Sequence, residues 1–386
     1  MATFETFRAS FPEGNNEKGE RFEVVLCDWF LKHHPEFKQR FKRVWRYLEW
    51  SGRWHSEDLG TDLIAEDTDG KICAIQVKFY AETRSVTKGA VDSFLSDSAR
   101  KKVDYRLLIA TTDKIGLNAS VTIDGAEKPV QTFLLDRFLD PAIDDWPKSY
   151  DRLKPLKIKP KKPKPYQRKA INDVVRNLTD RGQLIMACGT GKTFTAQRIA
   201  EGLECKRTLV LFPSLLLLSK TVNEWLCDKR ADFAFLPVCS DSSVIERKNK
   251  DTDSAEISTS ELSYPSTTDL NEIARFLKKR GNKVVFSTYQ SSPQIAKAMK
   301  KHKLPRFDLV IADEAHRCAG KASSDYATIL DNALIPARRR LFMTATPRVY
   351  QSQLKKRQRR AISPLHPWMM RPSLARNCIG SLLEKP

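Results

Sequence analysis

None of the eight cysteines (Cys27, Cys73, Cys188, Cys205, Cys227, Cys239, Cys318, Cys378) forms a Cys-x-x-Cys pair, and no histidines stand at zinc-finger spacing from them. That leaves neither a readable zinc finger nor a disulfide framework, and points to packed, reduced thiols. The opening MATFETFRASFPEG lacks a basic stretch followed by an apolar core, so it does not read as a secretory leader. No apolar run reaches the roughly 20 residues that a membrane-spanning helix needs, and a cytoplasmic protein with no membrane partner is expected. No repeat of solenoid period is visible. Acid is also scarce, with 47 Asp and Glu against 67 Lys and Arg, a formal net charge of +20 over 386 residues. Such a surplus suits a polyanionic partner, nucleic acid first among them, or else a solubilising surface; charge alone does not choose.

The length leaves room for two or three domains. A division falls at KPLKIKPKKPKP, Lys154 to Pro165, which packs six lysines and four prolines into twelve residues. Proline fixes φ and removes donors while like charges repel, so 151–165 is expected to be an extended linker. Upstream, 1–150, a helical pattern in GERFEVVLCDWFLKHH precedes short strands near Lys42–Tyr47, Asp62–Ala65 and Ile72–Phe79, a helix over Val86–Lys102 and a strand from Tyr105. Downstream, 166–350, strand, loop and helix alternate: QLIMA, CGTGKT, FTAQRIAEGL, then strands TLVLF, KVVFST, LVIAD and RLFMTA. Repeated βα units imply a parallel sheet flanked by helices. Cys239–Asp269, rich in Ser, Thr and Asp, reads as a long surface loop.

MACGTGKT, Met186 to Thr193, follows an apolar strand and opens a helix. Glycines there let backbone wrap a phosphate, amides at the helix N-terminus donate to it, and a lysine adds a point charge. Lys192 is that lysine, Gly189, Thr190 and Gly191 shape the loop, and Thr193 is placed to hold Mg²⁺. The first motif position is Met186 rather than glycine. LVIADEAH, Leu309 to His316, ends an apolar strand in two carboxylates, with Asp313 suited to Mg²⁺ and Glu314 to polarising the attacking water. An N-cap acid beside a solvated glutamate is the plainer alternative.

GTGKT, DEAH and the TATP of Thr344–Pro347 together resemble the first RecA-like domain of a superfamily 2 DEAH-box DNA helicase or translocase. The resemblance implies ATP as cofactor, with Tyr166 and Gln167 of KPYQRKAI reading adenine. It further implies that Pro213–Ser214 and Ser287–Gln290 contact a DNA strand, and that Thr344 and Thr346 couple nucleotide state to DNA.

In CAIQVKFY, Cys73, Ile75, Val77 and Phe79 share one face of a strand and Gln76 and Lys78 the other. Asp62, fourteen residues before Gln76, should lie on an adjacent antiparallel strand, with Glu23 offered from the preceding helix. Carboxylates that hold Mg²⁺ beside a lysine suit phosphodiester hydrolysis; a lone strand lysine is otherwise an edge residue that snorkels. KGERFE, GTDLIAE and IQVKFY in that order resemble an Mrr-type restriction endonuclease domain of the D…(E/Q)-x-K group. The resemblance implies Asp62 and Gln76 as metal ligands, with Glu23 and Lys78 beside them as catalytic residues. RVWRYLEWSGRW, Arg43 to Trp54, describes either a base-stacking platform or a packed strand, and packing is the favoured reading. His33 and His34 read as helix-capping.

The expected fold class is α/β, a restriction-endonuclease-like mixed-sheet domain followed by a RecA-like parallel-sheet P-loop NTPase domain. Nuclease, linker, then helicase resembles the N-terminal part of type ISP restriction-modification enzymes, in which methyltransferase and target-recognition regions follow; the motor subunit of multi-subunit type I enzymes has the same order. The implied partner is double-stranded DNA, and a DNA-binding remnant without catalysis is the competing class. Only 40 residues follow Thr346, so a second motor domain is expected to be absent. The stretch 351–386 carries eight basic residues against Glu384 alone and is expected to be a disordered tail. Trp368-Met369-Met370 can be encoded only by TGG ATG ATG, which read two bases displaced contains Asp-Asp, and plausible codons for Pro367, Arg371 and Pro372 extend it to an acidic stretch like the one that follows TATP in these helicases. A frameshift near Arg357 is the resulting hypothesis, and recovery of the same reading frame from an independent clone would count against it.

Overall fold

The computed structural model describes residues 2–57, 59–140, 143, 145–155, 161–240, 258–315 and 325–345. They form two compact units, one drawn from Met1–Lys159 and Ser258–Pro265, the other from Pro160–Ile257 and Ser266–Pro386. The expected tail, His316, Thr346 and Pro347, part of the linker and most of the Cys239–Asp269 loop lie outside the described residues.

In unit one the chain runs through helices α1 (Phe4–Ala9), α2 (Asn15–Val25), a π-turn over Leu26–Phe30, α3 (Leu31–His33) and α4 (Pro35–Arg40) into strand β1 (Phe41–Arg46). Strands β2 (Leu63–Asp67) and β3 (Ile72–Lys78), helix α5 (Lys88–Asp97), β4 (Tyr105–Ala110), α6 (Leu117–Asp124), β5 (Val130–Phe133) and α7 (Leu135–Phe138) follow. The sheet order is β1-β2-β3-β4-β5, antiparallel through β3 and parallel from β3 to β5. A tight turn makes the β2–β3 hairpin: Asp67 Oδ1 accepts from Asp69 N and Lys71 N at 2.8 and 2.9 Å, and Gly70 takes φ +77°. Glycine adopts that left-handed conformation without a Cβ clash. The apolar face of β3 packs into a core rich in aromatic rings, among them Phe22, Phe30, Phe37, Phe133, Phe138 and Trp146.

Helix α5 is shorter than the expected Val86–Lys102 because Thr87 caps it, accepting from Ala90 N at 3.4 Å, and it ends at Ser98. The aromatic stretch from Arg43 packs. Tyr47 is buried and its hydroxyl accepts from Trp54 N and His55 N at 3.0 and 2.8 Å, while Trp45, Trp50 and Trp54 lie against a cluster containing Ile64, Ala74 and Phe94. His33 closes its helix, with Nδ1 2.7 Å from Trp29 O. His34 stands at the cap position between α3 and α4, as expected, without a side-chain cap bond, and its ring is buried against those of Phe30, Phe37 and Phe133.

Unit two alternates helix and strand: α8 (Pro165–Asn177), β6 (Arg181–Ile185), α9 (Lys192–Gly202), β7 (Arg207–Phe212), α10 (Leu215–Asp228), β8 (Ala234–Val238), α11 (Leu270–Lys278), β9 (Lys283–Thr288), α12 (Ser292–His302), β10 (Phe307–Ala312) and β11 (Ala337–Thr344). All neighbours are parallel in the order β6-β11-β10-β7-β9-β8. The central strands are buried on both faces, which is why TLVLF and LVIA read as continuous apolar runs. Pro165 stands at the first turn of α8, where a missing N–H is harmless. Ser214 caps α10, and Asp269 caps α11 by accepting from Asn271 N and Glu272 N at 2.9 and 2.8 Å.

Candidate functional site

In unit one Leu63 of β2 pairs with Ile75 of β3, so the antiparallel register sets Asp62 beside Gln76. The Asp62 amide donates to Ile75 O at 3.0 Å, and its Oδ2 accepts from Val77 N at 2.5 Å. The carboxylate is therefore tied to the backbone between Gln76 and Lys78. Gln76 is 2% exposed; its Nε2 donates to Gly60 O at 3.1 Å, and its Oε1 is buried without a hydrogen-bond partner. A buried acceptor left open is costly unless a ligand, ion or water completes it. Lys78 is half-buried at the end of the same face. Glu23 sits on α2 one residue beyond Phe22, whose ring packs on Phe79 at 4.8 Å. That turn of α2 thus meets the side of β3 opposite Gln76 and Lys78. Among the described residues no group of three or more His, Cys, Asp and Glu side chains is arranged to hold a metal ion. A cation at Asp62 would therefore draw on the open amide oxygen of Gln76, on backbone carbonyls and on water, an oxygen set that fits Mg²⁺.

In unit two the loop between β6 and α9 turns on Gly189 and Gly191, at φ +75° and +81°. A Cβ on Gly191 would lie 2.5 Å from Gln167 Nε2. Gln167 Nε2 and the Tyr166 hydroxyl both donate to Thr190 O, at 2.9 and 3.2 Å, so α8 braces the loop. Lys192 Nζ lies 2.9 Å from Glu314 Oε1. Thr193 is the second residue of α9, and its carbonyl accepts from Trp225 Nε1 at 3.1 Å. Asp313 follows β10 directly, and burial together with the neighbouring Glu314 pushes its carboxyl up to about 6. Its Oδ1 accepts from Glu314 N at 3.0 Å, and Glu314 holds φ +48°, a strained value for a side chain with a Cβ.

Residues 32–154 match the family described as Restriction endonuclease, and residues 160–349 match the family described as Type III restriction enzyme, res subunit. The chain thus carries a restriction-endonuclease-like domain followed by a helicase-type domain similar to that of restriction enzymes. Among solved structures, the ATP-dependent Type ISP restriction-modification enzyme LlaBIII bound to DNA aligns with a TM-score of 0.70 at 31% identity. That alignment covers 86% of this chain and 22% of LlaBIII. Among curated proteins, Probable helicase A859L of African swine fever virus (isolate Pig/Kenya/KEN-50/1950) is 31% identical over 197 residues, 50% of this chain and 20% of that protein. The chain thus spans about a fifth of the length of either relative. No helix among the described residues is long and apolar enough to cross a membrane.

In the helicase domain Ser214 caps α10 through its own side chain. Ser287, Thr288 and Tyr289, expected at a DNA strand, are buried: Ser287 Oγ donates to Val238 O at 2.8 Å, and Thr288 Oγ1 to Ser291 Oγ at 3.1 Å. For Tyr289, motif reading picked out the residue but not its partner. Its hydroxyl donates to Asp313 O at 2.7 Å and holds the end of β10 in place. Only its position in FSTYQ could have drawn notice, because its partner is a backbone carbonyl.

Proposed function

We propose that the nuclease domain hydrolyses DNA phosphodiesters with Mg²⁺, and that the helicase domain binds Mg²⁺ and ATP at the loop carrying Lys192. The observation that carries the reading is the Asp62 carboxylate fixed by Val77 N–H beside the open Gln76 Oε1 and Lys78. When bound there, Mg²⁺ supplies Lewis acidity and a more acidic water. Asp62 and Gln76 offer it oxygen, and Lys78 offers an ammonium to the negative charge that grows on the phosphorus oxygens. The water oxygen forms the new bond to phosphorus, and the bridging oxygen leaves with its electron pair. Glu23, on the turn of α2 that packs on the other side of β3, takes no part in this step.

In the helicase domain Lys192 leaves Glu314 for the phosphates, Thr193 and Asp313 supply oxygen to Mg²⁺, and Glu314 is then available to a water. Tyr166 and Gln167 hold the loop from below and offer the nearest polar edge to an adenine. The net charge of +20 supports a DNA substrate, as does the likeness to a type ISP enzyme solved with DNA. In this reading methyltransferase and target-recognition regions are the chain's working partners. Nicking of supercoiled DNA in Mg²⁺ tests it. Wild type and Lys192→Ala should nick alike and Asp62→Ala should not, whereas equal nicking by all three leaves only a DNA-binding role.

A further inference from the structure

Residues 258–265 belong to the connection between β8 and α11 of the helicase domain, yet they are built into unit one. Thr259–Glu261 forms a 3₁₀ turn closed by Glu261 Oε1, which accepts from Ser258 N at 3.2 Å, and this turn packs against β5. Strand β5 ends the unit-one sheet. An open edge offers unpaired backbone groups and is covered in stable folds. Here Thr132 Oγ1 of β5 donates to Ser260 O at 3.2 Å, and Ser260 Oγ donates to Asp124 Oδ1 at 2.8 Å. Leu262, Ser263 and Tyr264 are all buried.

Ser263 also completes a buried charge network. Its Oγ donates to Glu36 Oε2 at 2.9 Å, the oxygen that Arg137 Nη2 reaches at 2.8 Å. Its carbonyl accepts from Arg40 Nη1. The remaining bonds of Arg40, to Tyr105 Oη and Gln131 Oε1, are each 3.3 Å. Glu36 and Arg40 are both buried, and a buried charge that loses a close partner is strongly destabilising. Without Ser263, residues 1–159 hold an incompletely bonded Arg40 and a bare β5. The strap has little slack, since one residue, Ser266, separates it from Thr267, whose amide donates to Pro237 O of β8 at 3.1 Å.

We propose that 258–265 is a strap by which the helicase chain completes the nuclease fold, so that any motion pulling on the β8–α11 connection loosens the nuclease at β5 and α4. This rests on packing within unit one and stands whether or not the site around Asp62 cleaves DNA. The test is hydrogen exchange on the full chain, comparing wild type with a variant whose residues 258–265 are replaced by Gly and Ser of equal length, and with Ser263→Ala. Expected in the replacement is at least tenfold faster exchange of β4, β5 and α4 amides, with β7 and β10 of the helicase domain unchanged. Ser263→Ala should accelerate α4 and β5 in the same sense by a smaller factor. Unchanged β5 and α4 exchange in the replacement would overturn the proposal, and so would equal acceleration across both domains.

Discussion

Lys192 Nζ and Glu314 Oε1 are 2.9 Å apart, in a half-shielded ion pair between the lysine of the GTGKT loop and the carboxylate that follows Asp313. A nucleotide must break this pair to use the lysine. Glu314→Gln removes the competitor, so nucleotide binding should tighten about twofold to fivefold, as expected for a pair worth up to about 1 kcal/mol. Lys192→Ala should weaken binding tenfold to hundredfold, in line with about 1.5–3 kcal/mol for a charged hydrogen bond. Titration with a fluorescent ATP analogue reads both; a Glu314→Gln protein that binds no more tightly contradicts the competition.

The two loop glycines should tolerate alanine unequally. Both have positive φ, but a Cβ at Gly189 meets open space, whereas at Gly191 it meets Gln167 Nε2. Gly189→Ala should destabilise unit two by about 1 kcal/mol from the backbone alone. Gly191→Ala adds the clash and displaces the Gln167 brace, so its urea midpoint should fall further and its nucleotide affinity with it. Equal midpoints would show that Gln167 does not brace the loop.

His34 makes the nuclease domain acid-sensitive. Burial, aided by the nearby Arg137 cation, holds the imidazole well below its usual 6.5, and its Nδ1 has no hydrogen-bond partner. The folded state keeps it neutral while the unfolded chain takes a proton below about 6.5, so the unfolded state binds more protons and stability drops as pH falls. Stability should therefore decline as pH drops from 7 toward 5. His34→Phe, set among phenylalanines, should flatten the stability profile between pH 7 and 5 relative to wild type; an unchanged slope refutes the assignment.

Gln76→Glu separates metal affinity from folding. A carboxylate at this position strengthens an oxygen site for Mg²⁺ but cannot donate to Gly60 O, which should lower stability by about 1–3 kcal/mol without metal. Adding Mg²⁺ should restore part of that loss, and the restoration should vanish with Asp62→Ala. Thermal melts with and without Mg²⁺ measure it; no Mg²⁺-dependent recovery would remove Gln76 from the proposed metal site.

The fold class was legible because central strands such as TLVLF and LVIAD are long apolar runs, and because GTGKT needs a strand before it and a helix after it. The juxtaposition of Asp62 with Gln76 and Lys78 was legible from alternation plus a short hairpin. Other features lacked a local signal. Strand β8 contains Pro237, which breaks the strand pattern and is tolerated because β8 is the sheet edge. The strap reads as loop by its Ser and Thr content, and its placement depends on Ser260 and Ser263 meeting Asp124, Thr132 and Glu36, more than a hundred residues away. Ser287–Tyr289 look available in sequence, yet the sheet buries them.

The most direct measurement is the first-turnover cleavage rate of a labelled duplex in Mg²⁺ by wild type, Asp62→Ala and Lys78→Ala, with a melting curve for each protein. The account predicts at least a hundredfold loss in both variants, the scale expected when one transition-state contact is removed, with the nuclease melting transition retained. Equal rates in all three proteins would contradict it.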